Sequence, residues 1–144
     1  MTAVPDDDDT TWSSRRREGA ADRGEALERR QAAESRQARG LVAEFVREAT
    51  ARGVPTTPLV ARDYAGRARY RTPLQGWYLR RNETVAIGTD GEFYVLSVPG
   101  GLRARLRGAA PVASEPPLIL GKGGRDGESI DLTDALARIL DPPH

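Results

Sequence analysis

Arginines alternate with small or aromatic residues in two short stretches of the chain. They are Arg67, Arg69 and Arg71 in the first stretch, and Arg103, Arg105 and Arg107 in the second. Alternation with a period of two is typical of a strand with one solvent-facing side. A sheet face that combines arginines with aromatic rings can bind single-stranded nucleic acid through phosphate contacts and base stacking. Because any exposed strand shows the same alternation, the six arginines are a candidate binding surface with an ordinary structural alternative.

A glycine-rich loop near the C-terminus carries two cations, Lys122 and Arg125. The backbone N–H groups of such a loop, together with these cations, could surround an anion. The loop has neither the Gly-Lys-Ser/Thr ending of a phosphate-binding P-loop nor the glycine spacing of a dinucleotide site. A mobile surface loop is therefore the simpler interpretation, and an anion site is the alternative.

Residue types that most catalytic sites require are missing from the sequence. The chain has no cysteine, and its one histidine is the C-terminal residue His144. Disulfides, thiolate metal sites and thiol nucleophiles are excluded. No serine lies in a nucleophile elbow, and Asp63 and Glu83 fit turns better than an acid–base pair. We therefore predict a protein that is not an enzyme and that holds no cofactor or metal.

The charge of the chain is balanced overall but unevenly distributed. The net charge is +1, so no global field attracts the protein to nucleic acid or to an acidic membrane. Residues 59–108 nevertheless contain nine arginines and four acidic residues, a balance of +5. Lys122 is the only lysine. Arginine suits bidentate phosphate recognition, although a GC-rich coding sequence explains the preference more simply.

The first 17 residues are predicted to form a disordered tail, because like charges cluster at 6–9 and 15–17. Trp12 is the lone large apolar residue between these clusters. It either docks on the folded domain or anchors a partner. An acidic N-terminus does not resemble a secretory leader, and no apolar run approaches the ~20 residues that span a bilayer. We expect a soluble, cytoplasmic protein without membrane contact.

Residues 18–39 are rich in helix-forming residues and contain two pairs spaced for i,i+4 ion pairs, Glu25–Arg29 and Arg30–Glu34. Leu27 is the only large aliphatic residue there, so this helix has almost no face to bury. Such a helix is either marginal in water or binds a partner, and self-association would also cover it. The sequence thus predicts a partner surface at 18–39, with Trp12 and Leu27 as candidate anchors.

The remaining residues, 40–144, are predicted to form one domain. An apolar stripe predicts a helix over Leu41–Arg52 that covers a sheet, with Gly53 following its end. The members of the stripe are Leu41, Val42, Phe45, Val46 and Ala49. Trp77 is expected to pack against Phe45. A second helix should follow an N-cap at Asp131.

The clearest turn signal is Asp90-Gly91, which lies between two β-branched and aromatic runs. A two-residue turn there would pair Ile87 with Tyr94. Short strands are also expected at 59–61, 67–72, 77–81, 102–107 and 118–120, and Pro73 should mark a strand end or an edge. The fold class is therefore α+β: an antiparallel meander of about four to six strands, an N-terminal helix that covers it, and a short C-terminal helix.

The leading functional hypothesis is a small non-catalytic module that binds a protein partner. It depends on a long polar helix with nothing to bury and on a tail with one tryptophan. Binding of single-stranded nucleic acid through the arginine-bearing sheet is the alternative.

Overall fold

The computed structural model describes residues 12–99, 110–121 and 129–142, together with the backbone of residues 6–11. Helix α1 spans Asp6–Arg52, and strands β1 to β5 span Thr57–Asp63, Arg69–Tyr78, Val85–Gly88, Phe93–Val95 and Ser97–Val98. Strands β6, β7 and β8 span Ala113–Ser114, Ile119–Leu120 and Ile130–Asp131, and helix α2 spans Leu132–Leu140. The predicted α+β class is confirmed.

Six strands form the main sheet in the order β5-β1-β2-β3-β4-β6, and β7 pairs with β8 separately. All neighbours in the main sheet are antiparallel except β1 and β5, which run parallel. The strand count agrees with the predicted range. The candidate strand at 102–107 lies outside the described residues.

The main sheet closes on itself at Leu96, the one residue between β4 and β5. The Leu96 N–H donates to the carbonyl of Thr84, and the Leu96 carbonyl accepts from the N–H of Arg62, each at 2.8 Å. One continuous stretch of chain thus pairs with β3 at its start and with β1 at its end. Strands β1 to β5 therefore form a ring, which joins the two edges that an open meander of these five strands would expose, and β6 lies outside the ring next to β4.

Two apolar clusters lie on opposite faces of β3 and β4. Ile87 and Phe93 belong to the cluster that α1 and α2 also enter, whereas Ala86 and Tyr94 belong to a second cluster. The second cluster comprises Leu59, Ala86, Tyr94 and Leu96, with Leu74 and Tyr78 packed against it. Since the helices occupy the outer face, this second cluster fills the inside of the ring.

Helix α1 meets the sheet through the apolar stripe that the sequence predicts. Val42, Phe45 and Ala49 are buried, and Leu41 and Val46 pack against the same cluster. The rings of Phe45 and Trp77 lie edge to face, with centroids 5.2 Å apart and planes at 83°. This aromatic pair confirms the expected contact and stabilises the helix on the sheet beyond the area that it buries.

The C-terminal end of α1 also confirms the expected stop. Gly53 has a φ of +67°. The Gly53 N–H donates to the carbonyl of Thr50 and the Val54 N–H to that of Ala49. These two bonds are the Schellman arrangement, which satisfies carbonyls at a helix end and favours glycine at this position.

The N-terminal end of α1 differs from the prediction. Helical backbone begins at Asp6, within the range expected to be a disordered tail. No proline interrupts residues 6–39, and acidic residues in a first turn favour the helix dipole. The helix also enters the core earlier than expected, because Ala38 is fully buried and Arg39 donates to Glu115 at 2.7 Å. Ser35 is the first residue of the second of two compact units into which the chain divides.

The β3–β4 hairpin lies where the sequence predicts it, but the predicted register is wrong by one residue. Ile87 pairs with Phe93 and Ala86 with Tyr94. The Gly91 N–H donates to the carbonyl of Gly88, and Gly91 has a φ of +85° while Asp90 has no positive φ. The connection is therefore a three-residue loop with a bulge at Gly91, and not a type I′ turn, which needs positive φ at both central residues.

Strand β2 also differs from the prediction, because it continues through Pro73 to Tyr78. The ladder with β1 pairs Val60 with Arg71 and Pro58 with Gln75, and it is irregular between these pairs. Pro73 therefore lies at a bulge, where the missing N–H interrupts no regular ladder bond. At the C-terminus, Asp131 is the N-cap of α2 as predicted, although its side chain makes no capping hydrogen bond.

Gly76 is a point at which the ring tolerates no side chain. A Cβ there would lie 2.0 Å from the backbone oxygen of Ile87 on the neighbouring strand. We expect Gly76→Ala to lower the free energy of unfolding by about 3 kcal/mol, because backbone must move to relieve the contact. Urea denaturation measures the change.

Gly40→Ala is the matched control, because nothing lies within 4 Å of a Cβ at this helical position. Alanine is the better helix former by about 1 kcal/mol. The control should therefore be neutral or stabilising. An equal loss of stability in both variants would contradict the close approach of β2 and β3.

Candidate interaction surfaces

We use the term N-terminal segment for residues 12–34 of α1. Almost every side chain of this segment is exposed, and none is buried. Trp12 is 60% exposed and Leu27 is 52% exposed. Isolated exposed apolar residues are common, but a helix that buries no side chain has little to stabilise it in water. The two predicted anchors are thus both accessible.

The contacts within the N-terminal segment are weak. Arg16 lies over the ring of Trp12 at 5.8 Å, which is the i,i+4 spacing of neighbours on one helix face. Of the two expected ion pairs, Glu25–Arg29 is present at 3.9 Å. Pairs of this kind contribute only about 0.3–0.5 kcal/mol each. These contacts therefore add little to the stability of the helix in this segment.

The first row of arginines lies along the start of β2. Arg69 and Arg71 are exposed on either side of buried Tyr70, as the alternation predicts. Arg67 precedes the strand, and its backbone N–H donates to Asp63 Oδ1 at 2.8 Å. No acidic side chain within the described ranges forms an ion pair with these three arginines. The second row, Arg103, Arg105 and Arg107, lies outside those ranges, as do Lys122 and Arg125.

The aromatic rings expected beside the arginines are turned into the core. Tyr70, Trp77 and Tyr94 are all buried. The hydroxyl oxygen of Tyr78 accepts from the backbone N–H of Val60 at 2.9 Å, inside the ring of strands. These four rings are therefore unavailable to stack on bases.

Tyr64 is the exposed ring next to the first arginine row, and sequence reasoning assigned it only to a turn. It is 74% exposed in the connection between β1 and β2. The turn is held by Asp63, whose backbone oxygen accepts from Gly66 and whose carboxylate accepts from Ala68. In the sequence, only the position of Tyr64 in a glycine-containing turn could have indicated that its ring is exposed.

Arg62 is a second residue that sequence reasoning did not select. It lies directly opposite Arg69 in the β1–β2 ladder, and its Nη2 lies 3.4 Å from Glu83 Oε2. Its Nε is buried without a hydrogen-bond partner among the described residues. Glu83 has a φ of +59°, which is unusual for a side chain larger than glycine. This ion pair joins the β2–β3 loop to β1.

A carboxylate and a phenol hold the β3–β4 loop. The Tyr94 hydroxyl donates to Asp90 Oδ2 at 2.5 Å, and the Glu92 N–H donates to Asp90 Oδ1 at 3.0 Å. Hydrogen bonding to Asp90, followed by burial, raises the pKa of Tyr94 to about 12. The neutral phenol bound to the carboxylate is a structural link between β4 and the β3–β4 loop, and the charge of Glu92 also disfavours the phenolate.

Neither a metal site nor a membrane-spanning helix is found within the described ranges. No group of three or more His, Cys, Asp or Glu side chains is arranged to hold a metal ion there. No helix in those ranges combines the length and the apolar character needed to cross a membrane.

Comparison with known proteins adds no further assignment. No protein-family model, curated protein or solved structure matches the chain.

The Tyr94–Asp90 bond predicts how stability depends on pH. The folded state favours the neutral phenol, since the pKa of Tyr94 is raised above its ordinary value of 10. The stabilisation of the folded state by this hydrogen bond is therefore fully present below pH 10 and is lost as the pH rises towards 12. We expect Tyr94→Phe to lower the unfolding free energy at pH 7 by about 2 kcal/mol, because it removes a hydrogen bond to a charged group. Denaturation across this pH range measures both effects.

Tyr64→Phe is the control, because that ring is exposed and does not join the core. This variant should have nearly the native free energy of unfolding, and that free energy should decrease between pH 10 and 12 as it does in the native protein. A Tyr94→Phe variant with native stability and an unchanged alkaline fall would show that the bond to Asp90 does not hold the loop.

Proposed function

We propose that this protein is a small non-catalytic interaction module whose N-terminal segment binds a protein partner. The folded domain begins at Ser35, and no described side chain of α1 before that residue is buried. The proposal depends on the difference in burial between the two parts of this single helix.

The observation that supports the proposal is the distribution of burial along α1. Ala38, Val42, Phe45 and Ala49 are buried, whereas no described side chain from residue 12 to 34 is. A helix of this length without a buried face is marginal, so a partner that covers it would stabilise it. Trp12 and Leu27 are the apolar groups on which such a partner would pack, and tryptophan is frequent at the centres of interfaces.

Nucleic-acid binding is the second candidate, in a reduced form. Arg69 and Arg71 are exposed and have no acidic partner in the described ranges, so they could contact phosphates. Base stacking would depend on Tyr64, because Tyr70, Trp77 and Tyr94 are buried and Tyr78 packs against the inner cluster. This candidate requires binding that weakens steeply with salt and that fails in an Arg69→Ala, Arg71→Ala variant. Partner binding through α1 requires neither this salt dependence nor these two arginines.

Deletion of residues 1–34 tests the proposal. This boundary keeps Ala38 and the Arg39–Glu115 ion pair, so the shortened chain should unfold with a midpoint close to that of the full chain. Equal amounts of both chains are immobilised, and the proteins that each captures from a native extract are quantified. We expect the specific partner to be lost with the deletion.

Point variants localise the effect. Leu27→Ala should weaken capture at least tenfold, whereas Asp22→Ala, at an exposed position on the other side of the helix, should not. A folded deletion variant that captures the same proteins as the full chain would contradict the proposal.

A further inference from the structure

The charges near the start of α1 are arranged antisymmetrically about Trp12. Asp9, Asp8 and Asp7 lie three, four and five residues before Trp12, and Arg15, Arg16 and Arg17 lie at the same distances after it. All of these residues belong to one continuous helix. If a second copy of the helix runs in the opposite direction with its Trp12 beside the first, each acidic position of one copy therefore faces a basic position of the other.

A single helix cannot pair these charges efficiently with one another. Neighbours on a helix surface are three or four residues apart, whereas the nearest acidic and basic residues here, Asp9 and Arg15, are six apart. Arg16 lies over the ring of Trp12 at 5.8 Å. The spacing of the six charges therefore favours their pairing with a second copy of the helix.

We propose that the helix spanning Asp6–Glu18 associates antiparallel with the same helix of a second copy, with the two-fold axis at Trp12. Asp9, Asp8 and Asp7 of each copy then lie opposite Arg15, Arg16 and Arg17 of the other, and the two tryptophans lie side by side. This inference rests on the proposed function and identifies the partner of its first turns as the chain itself.

Helix periodicity supports this alignment. Positions three and four residues on either side of Trp12 share its face, and they are Asp8, Asp9, Arg15 and Arg16. One face thus carries an acidic half, an exposed tryptophan and a basic half. A parallel alignment in register would place aspartates beside aspartates and arginines beside arginines, which repel. Only the antiparallel arrangement satisfies the charges through a symmetric, self-complementary contact.

The size of the contact sets its strength. The 13 residues from Asp6 to Glu18 span about 20 Å of helix, and one tryptophan from each copy is the main apolar group. Such a contact is smaller than a standard interface, so the dimer should be weak. Because exposed ion pairs are screened, it should also weaken as salt is raised.

Charge-reversal variants of the full chain test the inference by sedimentation velocity at low salt. The acidic variant changes Arg15, Arg16 and Arg17 to Asp, and the basic variant changes Asp7, Asp8 and Asp9 to Arg. Each variant alone should dimerise at least tenfold more weakly than the native chain. An equimolar mixture of the two should restore a complex. A variant with Arg23, Arg29 and Arg30 changed to Asp is the matched control and should dimerise like the native chain.

Cross-linking tests the alignment independently, since the native chain has no cysteine. The antiparallel register places residue 8 of one copy opposite residue 16 of the other, and both positions lie on the face of Trp12. A mixture of Asp8→Cys and Arg16→Cys chains should therefore oxidise to mixed dimers, with few Arg16→Cys homodimers. The reverse ratio would show parallel pairing and overturn the inference.

Two further outcomes would also overturn it. One is a native chain that stays monomeric at millimolar concentration and low salt. The other is a dimer that the acidic variant leaves intact. Either result leaves the proposed function to be decided separately, because the loss of a captured protein on deletion of residues 1–34 does not require self-association.

Discussion

The packing of Phe45 on Trp77 is the contact on which the rest of the structure depends. It fixes the C-terminal part of α1 on the outer face of the sheet, and the same cluster takes in Ile87, Phe93 and residues of α2. The apolar stripe of α1 begins at Ala38 and ends at Ala49, within the last 15 residues of a 47-residue helix. The buried stripe attaches the last turns of α1 to the sheet, whereas no described side chain in residues 12–34 is buried.

The ring of strands gives this domain its rigidity. Leu96 joins β3 to β1 through two backbone hydrogen bonds, so the sheet has an outer face for the helices and an inner face for its own side chains. Tyr78 and Tyr94, which could have formed a stacking surface on an open sheet, are directed inwards by this closure. The arginines of β2 remain outside. Closure thus separates the two residue types whose combination nucleic-acid recognition would use.

Local patterns in the sequence predicted the local features of the fold. The stripe around Phe45 follows the helical period, and Gly53 and Asp131 are typical residues for the ends of helices, so these positions were correct. The hairpin register was wrong because Asp-Gly fits both a two-residue turn and a bulged three-residue loop, and the choice depends on the backbone of Asp90. Closure at Leu96 and the Arg62–Glu83 ion pair join residues distant in sequence, for which no periodic signal exists. The exposure of Trp12 and Leu27 was predictable, whereas the burial of Tyr70 and Tyr94 required the closed sheet.

We infer that the domain stabilises α1 only from the buried stripe onwards. Hydrogen–deuterium exchange of the full chain at low concentration tests this claim most directly, because exchange reports the local opening of each helical turn. The account predicts slow exchange of amides in residues 42–52 and fast exchange in residues 12–34. It also predicts slower exchange in the N-terminal segment when the protein is concentrated. Uniformly slow exchange along α1 in the dilute monomer would contradict the account, since the segment would then be stable without any partner.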